Sequence, residues 1–222
     1  MTGDTAIGGW CGPCNNSGFT RGMTIGHRDA SQPSGWSFTA ASTVGLPNRF
    51  IGSVAVADDG TIYAAMNGFS RRFTEGEGAG NGHVFQYVPA AGAVAAHWDD
   101  ISANFPDIPA NSIQALSDGA LVVGTDLAVL YRPAGASGAT PWKRLGPKTG
   151  TDALPLTVAM DVELGPDNRI YAATHGRGIW SIANPGVAPT ALTTSTTNTG
   201  TTNTGTTNTT GTAQTPTSPK KR

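Results

Sequence analysis

Hydrophobic and polar residues alternate in short segments along most of the chain, with turn residues between them. The clearest unit is SVAVADDGTIYAAMNG at 53–68, in which two alternating segments flank an Asp-Gly pair. A period of two is typical of half-buried strands, and Asp-Gly between two such strands indicates a β-hairpin. The same pattern recurs at 112–126 and again at 157–176, where we expect a longer turn. The chain is therefore predicted to contain three related hairpins.

Each hairpin is followed by further short strands. The sequence predicts a third strand after every hairpin, at 83–88, 127–132 and 178–182, and a fourth that begins at a Trp, at 98–102 and 142–146. The hairpins recur about 50 to 60 residues apart, near the roughly 40–50 residues of a four-stranded propeller blade. This repeat predicts a β-propeller.

The beginning of the chain fits one more copy of the repeat. Its segments TAIGGW, RGMTIGH and WSFTAAS read as strands two, three and four of a blade that lacks its inner strand. We therefore predict an all-β propeller portion of about four blades over residues 1–185, in which the first and last blades are incomplete. Because a propeller closes when both termini complete one blade, we expect a larger propeller with missing upstream blades. A closed four-bladed ring is the alternative.

The composition changes at about Gly186. Residues 186–222 are rich in Thr, Asn, Gly and Pro and repeat the string TTNTG. Such a segment has little to bury, so we expect a disordered tail. It reads either as an inert linker or as a glycosylated or wall-crossing stalk of a secreted protein.

Composition and charge exclude several classes of function. The 222 residues include 30 Gly, only 13% are charged, and the net charge is −1. A near-neutral chain has no basic surface for a phosphate backbone, so we expect no nucleic-acid partner. We also expect no membrane span, because no apolar stretch approaches about 18 residues. The N-terminus does not have the pattern of a signal peptide.

Several strings in the chain resemble one known family. They are LPNRFIGSVAV, GHVFQY, LVVGTD and IYAATHGRGIWSI, and the resemblance covers about residues 5–183. These strings are similar to the final blades of bacterial secreted BNR-repeat propellers, sialidase-like and sortilin-like proteins often labelled glycosyl hydrolases. The family's Asp-box is degraded here, since GAVAAHW and GASGATPW keep only the Gly and the Trp.

The resemblance implies an extracellular or cell-wall-associated parent protein. It implies a carbohydrate-active or carbohydrate-binding function, and if the parent is an enzyme we expect a glycoside hydrolase whose present portion is inactive alone. The alternative is a non-enzymatic, sortilin-like propeller that binds peptides or proteins. A glycan or peptide ligand is expected on the propeller face that carries the loops between strands two and three.

Candidate site residues lie in those loops and in one inner strand. Paired guanidinium groups bind planar anions, and a carboxylate near the channel could act as a catalytic acid. Each residue also has a plain structural explanation, as a solvated loop tip or a hydrogen-bonded turn. The ligand-binding candidates are Arg71, Arg72, His175 and Arg177, and the weak catalytic candidates are Asp126 and Asp161.

The string WCGPC, which contains Cys11 and Cys14, matches the thioredoxin active site. That chemistry needs the first Cys at a helix N-terminus, whereas the flanking Asn, Ser and Gly residues indicate a loop and strands. We therefore favour a disulfide that closes the loop, or a buried thiol pair, over a redox centre.

The remaining His and Trp residues predict structure more than chemistry. The four His and two Cys residues have no metal-ligand spacing, so we predict no metal site, and no nucleotide fingerprint calls for a cofactor. Trp36, Trp98 and Trp142 begin the outer strands, and we expect them to pack between neighbouring blades.

Overall fold

The structure is a computed structural model that describes residues 3–11, 21–70 and 82–186, without the side chain of Cys11. The chain divides into two units, and the first, Met1–Pro189, contains every described residue. The prediction of a disordered tail over 186–222 concerns, apart from Gly186, residues outside the described ranges. The described residues form strands and turns, and none of them forms a helix long and apolar enough to cross a membrane.

Four antiparallel sheets, each a meander, make up the described fold, as predicted. Sheet one contains β1 (Thr5–Cys11), β2 (Arg21–Arg28) and β3 (Trp36–Ala40). Sheet two contains β4 (Ile51–Val56), β5 (Ile62–Met66), β6 (Val84–Val88) and β7 (His97–Asp100), and sheet three contains β8 (Ala110–Ala115), β9 (Leu121–Thr125), β10 (Val129–Arg132) and β11 (Lys143–Arg144). Sheet four contains β12 (Ala159–Leu164), β13 (Arg169–Thr174) and β14 (Gly178–Ala183).

The turns between the first two strands of sheets two, three and four have one geometry. In each, an Asp Oδ1 accepts a hydrogen bond from the backbone N–H two residues later, and the residue between them has a positive φ. The pairs are Asp59 with Gly60 (φ 85°), Asp118 with Gly119 (φ 85°) and Asp167 with Asn168 (φ 58°). The sequence predicted a longer turn in sheet four. This prediction is wrong, because Asn168 adopts the left-handed conformation that Gly adopts in the other two turns.

Each inner strand carries a β-bulge at the same place. The register shifts between Ile51 and Ser53 in β4, and the same shift occurs in β8 and β12. The bulged residues are Gly52, Asn111 and Met160. A bulge bends its strand and redirects one side chain, so Asn111 leaves the regular alternation of β8.

Neighbouring sheets pack face to face through small residues. In sheet three, Gly124 pairs with Ser112 across the strands, and a Cβ on Gly124 would lie 2.9 Å from the carbonyl oxygen of Ala159 in sheet four. A Cβ on Gly9 would likewise lie 3.0 Å from the side chain of Ile51 in sheet two. Since Gly124 belongs to the second strand of its sheet, this match assigns β1 to the second-strand position, as predicted.

Hydrophobic cores fill the three interfaces between consecutive sheets. Between sheets one and two, Met23 and Ile25 pack with Phe85 and Trp98. Between sheets two and three the cluster includes Val84, Phe105, Ile113, Leu130 and Trp142, and between sheets three and four it includes Val122, Val129, Val162 and Ile170.

Sheets one and four do not bury each other. On the outward face of sheet one, Trp10 and Phe38 remain 52% and 59% exposed, and on the outward face of sheet four, Ile179 is 75% exposed. A closed four-bladed ring would cover these side chains. The four sheets therefore form an open propeller arrangement, with three described strands in the first sheet and three in the last.

Two of the three outer-strand Trp residues pack between sheets as predicted. The indole N–H of Trp98 donates to the carbonyl of Ser42, and that of Trp142 donates to the carbonyl of Ile101, each on the preceding connector. Trp36 does not share this role, which corrects the prediction. The register places Phe38 at the matching position, and Trp36 instead stacks on Phe38 at 6.2 Å and lies under the Arg28 guanidinium.

Candidate functional site

The loops between strands two and three and the connectors between sheets lie at the same end of the meanders, which we call the loop face. Asn67, Asp126 and His175 each follow the second strand of their sheet and so occupy equivalent positions on this face. The bulge in β8 brings Asn111 to the same region. Repeated backbone geometry therefore gathers polar side chains from neighbouring sheets.

A row of hydrogen bonds crosses sheets two and three on the loop face. The side-chain amide of Asn67 donates to Oδ1 of Asn111 at 2.8 Å, and the amide of Asn111 donates to Oδ1 of Asp126 at 3.0 Å. The Asn111 amide also reaches the carbonyl of Ala159 in sheet four, at 3.3 Å. We call Asn67, Asn111 and Asp126 the polar row. All three side chains are half-buried, so the row is both held in place and open to solvent.

Asp161 is held by the residue that follows Asn111. Its Oδ1 accepts from the Ser112 hydroxyl at 2.6 Å and from the backbone N–H of Val162 at 2.9 Å, while the residue as a whole is exposed. Consecutive residues of β8 thus bind the two carboxylates that the sequence singled out, Asp126 and Asp161. The Asn111 amide therefore fixes the Asp126 carboxylate, and the Ser112 hydroxyl fixes the Asp161 carboxylate.

This arrangement is suited to accepting hydrogen bonds from a ligand. An ionised carboxylate accepts at several lone-pair positions, and an Asn side chain both donates and accepts. Sugar hydroxyl groups need both kinds of partner at fixed positions. The polar row together with Asp161 offers such partners across three sheets.

His175 and Arg177 lie in the short turn between β13 and β14. The turn is fixed through its main chain, because the Trp180 indole donates to the Arg177 carbonyl at 2.9 Å and the Thr157 hydroxyl donates to the His175 carbonyl at 3.1 Å. Both His175 and Arg177 are exposed. They share the loop face with Asp126 and remain candidates for ligand contact.

Four other predicted site residues fall wholly or partly outside the described ranges. Arg71, Arg72 and Cys14 are not described, and of Cys11 only the backbone is. Cys11 is the last residue of β1 and pairs with Arg21. The first Cys of WCGPC therefore ends a strand, whereas the thioredoxin mechanism places it at the start of a helix.

A second polar cluster on the loop face was not predicted from the sequence. His83 and Arg49 are 0% and 2% exposed, and their side chains approach each other to 3.3 Å. His83 Nε2 lies 3.0 Å from Oδ1 of Asp107, and Arg49 also donates to the carbonyl of Gly82. These residues come from three distant segments. The sequence analysis treated His83 only as one of the four His residues that have no metal-ligand spacing.

Burial and neighbouring groups shift the pKa values in this cluster. Burial lowers the pKa of His83, and the Arg49 charge lowers it further, against the opposing effect of Asp107. For Asp107, partial burial favours the neutral acid, but hydrogen bonds from Ser70 and His83 outweigh it and lower the pKa. At neutral pH the cluster holds a neutral His83 beside an ionised Asp107.

Ser70, His83 and Asp107 do not form a nucleophilic triad. The Ser70 hydroxyl donates to Oδ2 of Asp107 at 2.8 Å, and its backbone N–H donates to Oδ1 of the same residue. A serine nucleophile instead needs the His as its direct partner. The cluster therefore ties the start of the 2–3 loop of sheet two to the connector ahead of β8. Within the described residues, no group of three or more His, Cys, Asp or Glu side chains could hold a metal ion.

Comparison with known proteins shows the fold and no family. No family model matches the sequence, and no curated protein matches it. Among solved structures, PorZ of Porphyromonas gingivalis, a bacterial surface component of the type-IX secretion system, has a TM-score of 0.50 at 13% identity over 77% of this chain. Its likeness agrees with the β-propeller type of fold that the four sheets define.

Two further solved structures are similar over comparable lengths. A protein described as a gluconolactonase has a TM-score of 0.47 at 13% identity over 82% of this chain. The extracellular domain of a hybrid two-component system from B. thetaiotaomicron has a TM-score of 0.45 at 15% identity over 72% of this chain. The chain spans 25% of PorZ, 56% of the gluconolactonase-like protein and 20% of the extracellular domain.

Proposed function

We propose that the chain is part of a larger extracellular β-propeller of the BNR type that binds carbohydrate on its loop face. The observation that carries this proposal is the hydrogen-bonded polar row with Asp161, which places fixed donors and acceptors from three neighbouring sheets at one end of the inner strands. The exposed aromatic and aliphatic side chains on sheets one and four support the larger ring, since soluble proteins rarely leave such faces uncovered.

Carbohydrate binding explains the site better than glycoside hydrolysis does. A glycosidase of the usual kind needs one carboxyl group with a raised pKa as the general acid and a second carboxylate opposite it. The Asn111 amide holds Asp126 and the Ser112 hydroxyl holds Asp161, so both carboxylates are fixed as hydrogen-bond acceptors for a ligand. PorZ is a bacterial surface component, and a surface or secreted location is proposed for this chain too.

The proposal is tested by measuring glycan binding to the full chain on an array, followed by titration calorimetry with the strongest ligand. The Asp161→Asn variant keeps an oxygen acceptor for Ser112 and Val162 but removes the charge, so the fold is retained and affinity is expected to fall by about ten-fold, the effect of one charge-assisted hydrogen bond. Asp126→Asn is expected to act in the same direction.

A matched control lies in the turn between β4 and β5, at the end of sheet two that is opposite the loop face. Asp58→Asn removes one exposed carboxylate there and is expected to leave affinity unchanged. Equal losses for Asp58→Asn and Asp161→Asn would show a general charge effect and contradict the site. Turnover of a chromogenic glycoside that Asp161→Asn abolishes would replace binding with hydrolysis, and selective capture of peptides would support the sortilin-like alternative.

A further inference from the structure

One position on the loop face carries a chemically different residue in each of sheets two, three and four. It is the bulged residue of the inner strand, which is Gly52 in β4, Asn111 in β8 and Met160 in β12. Gly52 has no side chain, Asn111 belongs to the polar row, and Met160 is apolar. The same backbone feature therefore presents a different side chain in each sheet.

The register shows that Met160 is the equivalent of Asn111. In both inner strands the bulge follows an Ala that pairs with the Thr at the end of the second strand. The pairs are Ala110 with Thr125 in sheet three and Ala159 with Thr174 in sheet four. The residues that follow these Thr, Asp126 and His175, are then equivalent as well.

Asn111 shows which neighbours such a position has. Its side chain lies 3.0 Å from Asp126 of its own sheet and 2.8 Å from Asn67 of the preceding sheet. Asn67, Asp126 and His175 occupy equivalent positions on the loop face. The repeated geometry therefore places Met160 between Asp126 of the preceding sheet and His175 of its own sheet. The series of polar side chains thus continues to His175 with one apolar side chain inserted.

Met160 is accessible to a ligand. It is 55% exposed, whereas Met23 and Met66, the other two methionines in the described ranges, are 1% and 0% exposed. Asn111 remains half-buried although a sheet packs on either side of it, so this position stays open when sheets flank it. Met160 therefore belongs to the surface that a ligand on the loop face would contact.

The groups beside Met160 differ from it in what they bind. Asp161, the next residue, has a carboxylate that the Ser112 hydroxyl holds at 2.6 Å. A carboxylate accepts hydrogen bonds from hydroxyl groups, whereas a thioether is polarizable, adaptable and only a weak acceptor. A hydroxyl group placed on Met160 would lose its hydrogen bonds to water without a good replacement, and a methyl group would gain contact.

We propose that Met160 makes the loop-face site selective for a 6-deoxyhexose, whose methyl group packs on the thioether while ring hydroxyl groups bind Asp126 and Asp161. This inference rests on the carbohydrate binding proposed above and adds the class of sugar. The hydrogen-bond acceptors hold the sugar, and Met160 distinguishes it from the hexose that carries a hydroxyl group on C6.

The short steps of the polar row favour a methyl group bonded directly to the sugar ring. Successive side chains of the row are 2.8 and 3.0 Å apart, so polar partners stand immediately beside the bulged position. A ligand must therefore present its methyl group close to its hydroxyl groups. In a 6-deoxyhexose the methyl carbon is attached to the ring, whereas an amide separates the methyl group from the ring in an N-acetylhexosamine.

The test titrates matched methyl glycosides into the full chain by calorimetry. The pairs are L-fucose with L-galactose and L-rhamnose with L-mannose, which differ only in the hydroxyl group on C6. One 6-deoxyhexose is expected to bind about ten-fold more tightly than its partner, within the range by which apolar sites discriminate small groups. With ¹³C-methyl-labelled methionine, the Met160 signal should shift saturably, and those of Met23 and Met66 are the buried controls.

The repeat itself supplies the substitution that tests the role of Met160. Met160→Asn introduces the residue of sheet three, which can bond the additional hydroxyl group, so the two affinities of a pair are expected to come within about two-fold. Met160→Leu remains apolar and is expected to keep the preference. Both substitutions are at an exposed position, so the fold is expected to be retained.

The outcomes separate this inference from the function on which it rests. Equal affinities within both pairs, a preference that Met160→Asn leaves unchanged or that Met160→Leu abolishes, or binding of N-acetylhexosamines without either 6-deoxyhexose would overturn the selectivity and leave carbohydrate binding in place. Absence of binding to every glycan on the array, or affinities that Asp126→Asn and Asp161→Asn leave unchanged, would overturn the proposed site together with the selectivity.

Discussion

At the scale of single residues, repeated backbone geometry decides which side chains become functional. Asn111 is the bulged residue of β8, and the same bulge in β4 presents Gly52, which has no side chain to offer. The polar row therefore forms where a polar residue coincides with a bulge. The sequence predicted Asp126 as a candidate because it lies in a loop between strands two and three, and Asp161 because it lies in an inner strand near the channel. It did not predict Asn111, since the sequence does not show where a strand bulges.

The buried His83 leads to a prediction on pH dependence. Burial and Arg49 lower its pKa in the folded state, so the unfolded chain binds more protons once the pH falls below the ordinary His value of about 6.5. The free energy of unfolding, measured by urea denaturation, is expected to decrease as the pH is lowered from 7.5 to 5. His83→Gln should flatten this dependence over the same interval.

His97→Gln is the matched control for that prediction, because His97 lies partly exposed beside Asp99. It should retain the pH dependence of the unmodified chain. A flat profile in the unmodified chain, or an equal effect of both substitutions, would show that His83 is not the group responsible.

At the scale of strands and turns, most of the architecture was predictable. The period-two segments predicted the hairpins and the third strands, because half-buried strands must alternate. The third turn was mispredicted because Asn168 replaces the expected Gly, and Trp36 was misassigned because an aromatic residue in the sequence does not reveal its register. The cluster of Arg49, His83 and Asp107 was unpredictable, since only the packed sheets bring those segments together.

The outer-strand Trp residues give a prediction on stability. Trp142 is 4% exposed and bonded to the preceding connector, so Trp142→Ala is expected to cost about 3–5 kcal/mol in the free energy of unfolding. Trp36→Ala, at a half-buried position on an outward face, should cost less than about 1 kcal/mol. Chemical denaturation compares the two variants. Equal losses of unfolding free energy would contradict the assignment of Phe38, and not Trp36, to the position that Trp98 and Trp142 occupy in their sheets.

At the scale of the whole molecule, the described residues form an open series of four blade-like sheets. Three interfaces between consecutive sheets are filled, and the outward faces of sheets one and four remain exposed. The proposed larger ring depends on this openness, because a closed ring would leave no face for further blades.

The most direct test compares two equivalent positions, Gly124 in sheet three and Ala173 in sheet four. Gly124→Val places a branched side chain against the carbonyl of Ala159 and should cost about 1–3 kcal/mol in the free energy of unfolding through overpacking. Ala173→Val, at the same position on the exposed face, should change that free energy by less than about 0.5 kcal/mol. Urea denaturation of both variants decides the matter: a large cost at Gly124 alone is the predicted result, and a similar cost at Ala173 would contradict the open arrangement.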